Sequence, residues 1–148
     1  MNHRVVLDTH CIVSALLFSR QKMAWLRHSW QNGQIMPLAS KDTVSEIIRV
    51  LAYPKLKLDK SEQDLLPADF LPYAETVTIN HIPDGLPVIR DPADQMFLIL
   101  AVIAQTKVLV RGDANILEIK SSFHMPPIMT LAEFKNWLDI PPTLLRLE

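Results

Sequence analysis

Short apolar runs alternate along this chain with segments whose apolar residues have helical spacing, and this alternation limits the possible folds most. The short runs, each of strand length, occupy residues 4–8, 35–39, 76–79, 107–111 and 127–129. Helical spacing occupies residues 11–18, 22–30, 91–105 and 130–138, and a further helix begins at Ser40 or Asp42 and ends near Leu51. Two short helices fit the proline-broken stretch 59–75. Strands that alternate with helices form a parallel sheet with helices on its faces. The sequence therefore predicts a three-layer α/β/α sandwich with a central, mainly parallel sheet.

The length of 148 residues, of which 49% are apolar, is that of one globular domain. We expect this domain to span residues 1–140 and to be followed by an irregular tail, 141–148, that begins with two prolines. The longest apolar run is Met96 to Ala104, which is half of the roughly 18 residues that a membrane span needs. Asp8 interrupts the first apolar stretch before a signal-peptide core is complete. We therefore expect a cytoplasmic protein without a membrane segment.

Scarce glycine and cysteine exclude several kinds of site. Gly33, Gly85 and Gly112 are the only glycines, so neither the GxGxxG dinucleotide turn nor the GxxxxGK phosphate loop can be written in this chain. Cys11 is the only cysteine, which excludes an internal disulfide, a CxxC redox pair and a cysteine-rich zinc site. The chemistry must therefore come from carboxylates, histidines or hydroxyl groups.

Acidic residues stand where a parallel sheet places its active crevice, at the carboxyl ends of the strands. Asp8 ends the first predicted strand and Asp113 follows the fourth. Asp91 and Asp94 stand in the first turn of the long helix 91–105, and Glu46 lies in the predicted helix that ends near Leu51. Carboxylates that converge from separate segments repel one another unless a cation neutralises them. Their hard oxygen atoms suit Mg²⁺ or Mn²⁺, which assist phosphoryl chemistry by activating water.

Each acid also has a structural interpretation. Asp8 fits an Asx turn or a helix cap, and Asp113 after a glycine fits a turn. Glu46 would be the N3 residue of a capping box in Thr43-Val-Ser-Glu46. Asp91 fits an N-cap ahead of a proline, and the charge of Asp94 would suit the N-terminus of the same helix.

Three stretches of this sequence together resemble the PIN-domain family of metal-dependent ribonucleases, and most closely its VapC-like toxins. They are VVLDTHCIVSALL at 5–17, SKDTVSEIIRVLAYPKLKL at 40–58 and RDPADQMFLILAVIAQTKVLVRGDANIL at 90–117. Each stretch is weak by itself, but the ordered set is specific. The resemblance extends from about residue 4 to residue 138.

The resemblance implies a metal-dependent endoribonuclease that cleaves single-stranded RNA. It implies that Asp8, Glu46, Asp94 and Asp113 are the catalytic acids and bind Mg²⁺ or Mn²⁺, with Asp91 as an auxiliary ligand. By the pattern of the family, the chain would be the toxin of a toxin–antitoxin pair. A small antitoxin would mask its site, and it would form a homodimer.

Two positions depart from the family pattern. His10 stands where the family usually has Asn, and Arg111 stands where Thr or Ser commonly precedes the Gly-Asp pair. An imidazole can accept a hydrogen bond or bind a metal, and a guanidinium can contact a phosphate. We therefore include both with Thr9 and Ser14 as substrate-binding candidates. Helix capping by Thr9, packing of Ser14 and a cap-region position for His10 are the structural alternatives.

Charge is unevenly distributed although the net charge is only −1. Residues 1–58 hold eight Lys or Arg against three acids, and residues 59–148 hold seven against thirteen. A basic rim for single-stranded RNA, with aromatic rings on which bases stack, would lie in the first part of the chain. Its candidates are Arg20, Lys22, Arg27 and Lys41, near Trp25 and Trp30. The alternative is an amphipathic helix with Trp25 in the core.

Two other functions remain open at this point. A PIN-like module that binds RNA or protein without cleaving it would explain His10 and Arg111. A phosphatase of the haloacid-dehalogenase type also begins with an aspartate at a strand end. That family has a second Asp at the position of His10, however, and its downstream Lys motif is not evident here.

Overall fold

Five parallel strands form one sheet in the computed structural model, which describes residues 3–18, 22–112 and 126–139. The strands are β1 (His3–Leu7), β2 (Ile35–Ala39), β3 (Glu75–Thr76), β4 (Val108–Arg111) and β5 (Ile128–Thr130). Their order across the sheet is β3-β2-β1-β4-β5, and every neighbouring pair is parallel. The central pair, β1 and β4, is aligned so that Leu7 lies beside Val110. Both central strands therefore end at the same edge of the sheet.

Six α-helices connect or follow these strands within the described ranges. They are α1 (Thr9–Leu17), α2 (Ala24–Gln31), α3 (Lys41–Leu51), α4 (Lys60–Leu65), α5 (Pro92–Ile103) and α6 (Leu131–Leu138). Side chains fix where several of them begin. Ser40 and Thr43 form a capping box at the start of α3, and Thr130 and Glu133 form another at the start of α6.

The alternating side chains of the central strands separate two hydrophobic clusters. Val5 and Leu7 of β1 pack on one face of the sheet with residues of α1, α2, α3 and α6. Val6, between them in sequence, packs on the other face with α5. Successive side chains of a strand point to opposite faces, so the two clusters are the two interfaces of the predicted α/β/α sandwich, which is confirmed.

The structure differs from the sequence prediction at the edge of the sheet. The predicted strand 76–79 is a two-residue strand, Glu75–Thr76, that pairs only with β2. Beyond it, the backbone N–H of Val77 donates to the carbonyl of Ala39 at 2.7 Å, but no ladder continues. Both residues of β3 are exposed, so the strand gains no packing energy that would favour a longer one.

Between α4 and β3 the prolines produce 3-10 turns rather than a second α-helix. These turns occupy Leu66–Asp69 and Leu71–Tyr73, each with Pro in its first turn. No helix in the described part of the chain is long and apolar enough to cross a membrane. Asp113, Arg20 and the predicted tail 141–148 lie outside the described residues.

Candidate active site

Asp8 joins the ends of the two central strands. Its backbone N–H donates to the carbonyl of Val110 at 3.1 Å. Its Oδ1 accepts from the N–H of Cys11 at 2.9 Å, which makes it the N-cap of α1, and its Oδ2 accepts from the N–H of Gly112 at 3.0 Å. The side chain is almost fully buried. The capping role considered for Asp8 is therefore present, and the same carboxylate also holds the residue that follows β4.

A cleft of about 440 Å³ opens beside Asp8, between α1, α3 and the start of α5. Six of the residues that the sequence analysis selected line it together: Thr9, His10, Ser14, Glu46, Asp91 and Asp94. Apolar and basic side chains complete the wall, among them Val13, Leu17, Phe18, Arg49, Tyr53 and Lys55. Residues from three separate segments of the chain thus face one cavity.

Glu46 lies in the middle of α3 and is buried, with its carboxylate towards the cleft. The capping box expected at Thr43–Glu46 is wrong, because Ser40 is the N-cap and Thr43 is its N3 residue. Both oxygens of Glu46 accept from the Arg49 guanidinium, at 2.6 and 2.9 Å. This hydrogen-bonded pair raises the pKa of Arg49, which also donates to the hydroxyl of Tyr53. Arg49 remains half exposed on the cleft wall.

Asp94 lies in the first turn of α5, and a buried cation faces it. Nη2 of Arg111, the last residue of β4, donates to Oδ2 of Asp94 at 2.7 Å. The side chain of Arg111 is only 2% exposed and that of Asp94 is 16% exposed. The structure thus places Arg111 behind the cleft, against an acid, rather than on the solvent side where a substrate phosphate would reach it.

Asp91 caps the helix that carries Asp94. Its Oδ1 accepts from the N–H of Ala93 at 2.9 Å, and Pro92 is the first residue of α5. The structural interpretation of Asp91 is therefore the one that the contacts show. Asp91 is also exposed at the rim of the cleft.

The remaining candidates differ in how firmly they are held. The hydroxyl of Thr9 is buried and has no hydrogen-bond partner among the described residues. The exposed His10 lies so close to Gly112 that a Cβ on this glycine would be 2.2 Å from Nδ1 of the imidazole. Ser14 is half-buried on the cleft-facing side of α1. Gly112 therefore makes room for the His10 ring, a role that sequence reasoning missed.

The oxygen atoms of this cleft fit a hard divalent cation in kind. Glu46 and Asp94 supply carboxylates, and the unpaired, buried Thr9 hydroxyl is an acceptor that lacks a partner. Within residues 3–18, 22–112 and 126–139, however, no three Asp, Glu, His or Cys side chains form a group that could hold an ion. The fourth predicted acid, Asp113, is outside these ranges.

The basic and aromatic side chains on the cleft wall are not the ones expected from the sequence. Trp30 is 1% exposed and donates its indole N–H to the carbonyl of Asp69, so it cannot stack on a base. Arg27 pairs with Asp69 at 2.5 Å, and Trp25 packs beside Phe134. Arg49 and Lys55 are the cations that line the cleft. The only sequence signal for them is the Leu51–Lys55 segment at the end of the second family-like stretch, which contains Lys55 and follows Arg49.

Comparisons with known proteins agree with this architecture. A family model described as the PIN domain matches residues 4–115, about three quarters of the chain. The fold is similar to that in the crystal structure of VapBC2 from Rickettsia felis bound to a DNA fragment from the promoter. That likeness has a TM-score of 0.54 and 15% identity, and it covers 86% of this chain and 96% of the other. The search of curated proteins found no significant match.

Proposed function

The chain belongs to the PIN domain family, and from this premise we propose that it is a metal-dependent endoribonuclease that cleaves single-stranded RNA. One observation carries the proposal. Six residues selected from the sequence, on three separate helices, line a single cleft of about 440 Å³ at the end of the central strands. Acids gathered at the carboxyl edge of a parallel sheet are suited to phosphodiester hydrolysis with a bound cation.

We assign the cation to Glu46 and Asp94, with Asp8 and Asp113 from the adjoining strand ends. The buried, unpaired hydroxyl of Thr9 beside Asp8 supports an additional oxygen acceptor in this set. Bound Mg²⁺ or Mn²⁺ would polarise the phosphate and lower the pKa of a water molecule. Asp91 is left out of the set, because it caps α5 and, unlike the buried Asp8, is exposed at the rim of the cleft.

The chain's own residues bind and orient the RNA. Arg49 and Lys55 face the cleft as cations that can contact phosphates. Phe18 and Tyr53 are exposed there, at 54% and 38%, and offer ring faces on which bases stack. His10 and Ser14 line the same cleft. A flexible single strand fits such a wall better than a rigid duplex does.

The test is cleavage of single-stranded RNA by the purified protein with Mg²⁺ or Mn²⁺. We expect cleavage to stop with EDTA and in Asp8→Asn and Glu46→Gln. Glu46→Gln is included because Asp8 also accepts two backbone hydrogen bonds, so its replacement perturbs the fold. Asp64→Asn is the matched control, since Asp64 is an exposed acid that pairs with Lys60 on the surface of α4. Metal-dependent cleavage that survives both site variants would refute the assignment.

We further propose that the chain is the toxin of a toxin–antitoxin pair, dimeric and located in the cytoplasm. The support is its family and its likeness to the VapBC2 fold. Expression of the chain should arrest growth, and Glu46→Gln should not. Co-expression of a small DNA-binding protein encoded next to this gene should relieve the arrest. Growth arrest by both forms of the chain would separate toxicity from cleavage and contradict this proposal.

A further inference from the structure

A buried arginine lies behind the cleft, against one of its acids. Arg111 ends β4 with its side chain 2% exposed, and its guanidinium donates to Oδ2 of Asp94 at 2.7 Å. An arginine remains protonated at any pH at which the protein folds, and a buried charge of this kind requires an opposite charge beside it. A permanent positive charge therefore stands directly behind Asp94.

We propose that Arg111 is a built-in counter-ion that competes with a divalent cation for Asp94. It keeps the acidic cleft assembled when no metal is bound, and for the same reason it weakens metal binding. One of the two Asp94 oxygens that could ligate an ion, Oδ2, already accepts a short, charge-assisted hydrogen bond. A divalent cation beside Asp94 would also be repelled by the guanidinium.

The position of Arg111 prevents it from moving aside. Its backbone lies in the ladder between β1 and β5, where it is paired with Thr130, and its side chain has almost no solvent contact. Releasing Asp94 would break a charge-assisted hydrogen bond of a buried guanidinium, which is costly. Competition at Asp94 is therefore fixed by the fold.

The other acid–arginine pair of the cleft provides the contrast. Arg49 binds Glu46 through two hydrogen bonds, but the Arg49 side chain is 55% exposed. It can rotate into water when a cation approaches Glu46, at little cost because water screens an exposed pair. Removal of Arg49 should therefore change metal affinity much less than removal of Arg111.

This inference rests on the proposed metal-dependent function, and metal binding tests the two separately. Mn²⁺ affinity is measured by calorimetry or electron paramagnetic resonance for the wild type, Arg111→Thr, Arg111→Lys and Arg49→Thr. We expect Arg111→Thr to bind Mn²⁺ about tenfold more tightly than the wild type, within the range that residues beside metal ligands produce. Arg111→Lys, which keeps the charge, and Arg49→Thr should stay near the wild-type affinity.

Thermal unfolding in EDTA and in Mn²⁺ gives a second readout. Arg111→Thr should have a lower melting temperature than the wild type in EDTA, because Asp94 loses the positive charge of Arg111. Addition of Mn²⁺ should raise the melting temperature of this variant more than that of the wild type. Arg111→Gln, which keeps most of the side-chain length, replaces the Thr variant if that one does not fold. Equal or weaker Mn²⁺ binding by the neutral variants overturns the inference while the metal site stands. If neither the wild type nor these variants bind Mn²⁺, the proposed metal-dependent function fails as well.

Discussion

The His10 imidazole lies against the Cα of Gly112, at the point where β1 and β4 meet. In Gly112→Ala the new methyl would be 2.2 Å from Nδ1, so the ring must move. Because His10 is exposed, its ring can turn into solvent, and we expect stability to change by no more than about 0.5 kcal/mol. RNA cleavage should fall as far in Gly112→Ala as in His10→Ala, since both displace the imidazole.

A double-mutant cycle tests this coupling. The combined His10→Ala and Gly112→Ala variant should cleave RNA no more slowly than either single variant, because the ring is lost only once. Urea unfolding of all four proteins provides the control for folding. Additive losses of activity would show that Gly112 acts independently of His10.

Sequence reasoning selected residues that line one cleft but could not predict their partners. Glu46 and Arg49 are three residues apart on one helix, a spacing at which side chains meet. Asp94 and Arg111 are 17 residues apart, and their contact depends on how α5 crosses the end of β4. Thr43-Val-Ser-Glu46 fits the capping-box pattern, but Ser40 is the N-cap and Thr43 is the N3 residue, so Glu46 lies one turn further along the helix. Local patterns fix spacing, whereas tertiary packing decides which charges meet.

The N-terminus of α5 depends on Asp91. Its Oδ1 accepts from the N–H of Ala93, and Asp94 follows in the same first turn. Asp91→Ala should lower the free energy of unfolding by about 1 kcal/mol, whereas Asp91→Ser, which keeps a capping oxygen, should retain most of it. Urea unfolding measures both values. Mn²⁺ affinity should be unchanged in Asp91→Ser, and a clear loss there would make Asp91 a metal ligand after all.

The start of β1 and the end of α6 meet through His3. Its ring centroid is 4.7 Å from that of Trp137, and Nδ1 accepts from the ammonium of Lys107 at 3.0 Å. Burial, and then the charge of Lys107, lower the pKa of His3 below its usual 6.5. The unfolded chain therefore binds a proton at this residue more readily than the folded one. This contribution to stability is full above about pH 6.5 and is lost as the pH falls through the lowered pKa.

His3→Phe keeps an aromatic ring and removes the titration. Between about pH 7 and about pH 5, we expect the free energy of unfolding to fall less in this variant than in the wild type. Urea unfolding across that range measures the difference, and an NMR titration of His3 should give a midpoint below 6.5. Identical pH dependence in the two proteins would contradict the assignment of His3.

Elements with a buried face were predictable, and those without one were not. The residues of β2 and the start of α6 follow directly from an apolar run and a capping box. At β3 the apolar alternation of 76–79 favoured four residues in a strand, yet only Glu75 and Thr76 pair with β2. An edge strand gains few packing contacts, so its length is set by its neighbour rather than by its own sequence.

Across the whole molecule, the basic side chains that line the cleft are not the ones that the sequence order suggests. The cations expected around α2 include Arg27, which pairs with Asp69 beside the buried Trp30. Arg49 and Lys55, near the end of α3, face the cleft instead. The uneven charge is evident from the sequence. The burial of Trp30 is not, because it depends on packing against Phe70, which lies 40 residues further along the chain. The surface proposed to bind RNA therefore depends on the assembled fold.

Lys55 and Lys41 distinguish the two surfaces that RNA could follow. Both are exposed lysines of the basic part, but only Lys55 lines the cleft, whereas Lys41 starts α3 beside the edge strand. Lys55→Gln and Lys41→Gln change the net charge equally, so any general attraction of RNA is reduced by the same amount. A difference between them reports a direct phosphate contact.

Binding of a short single strand is measured by fluorescence anisotropy from about 50 to about 200 mM salt, in a Glu46→Gln background that does not cleave it. Because each phosphate contact on single-stranded nucleic acid contributes about 0.7 to the slope of log K against log salt, Lys55→Gln should lower that slope by about this amount. Lys41→Gln should keep the slope of the parent. The reverse result would place the RNA along the β3 edge, outside the acidic cleft, and an equal small effect of both would mean that neither lysine touches a phosphate. Only the first outcome brings the RNA backbone into the cleft that Lys55 and Asp94 both line, as the proposed cleavage requires.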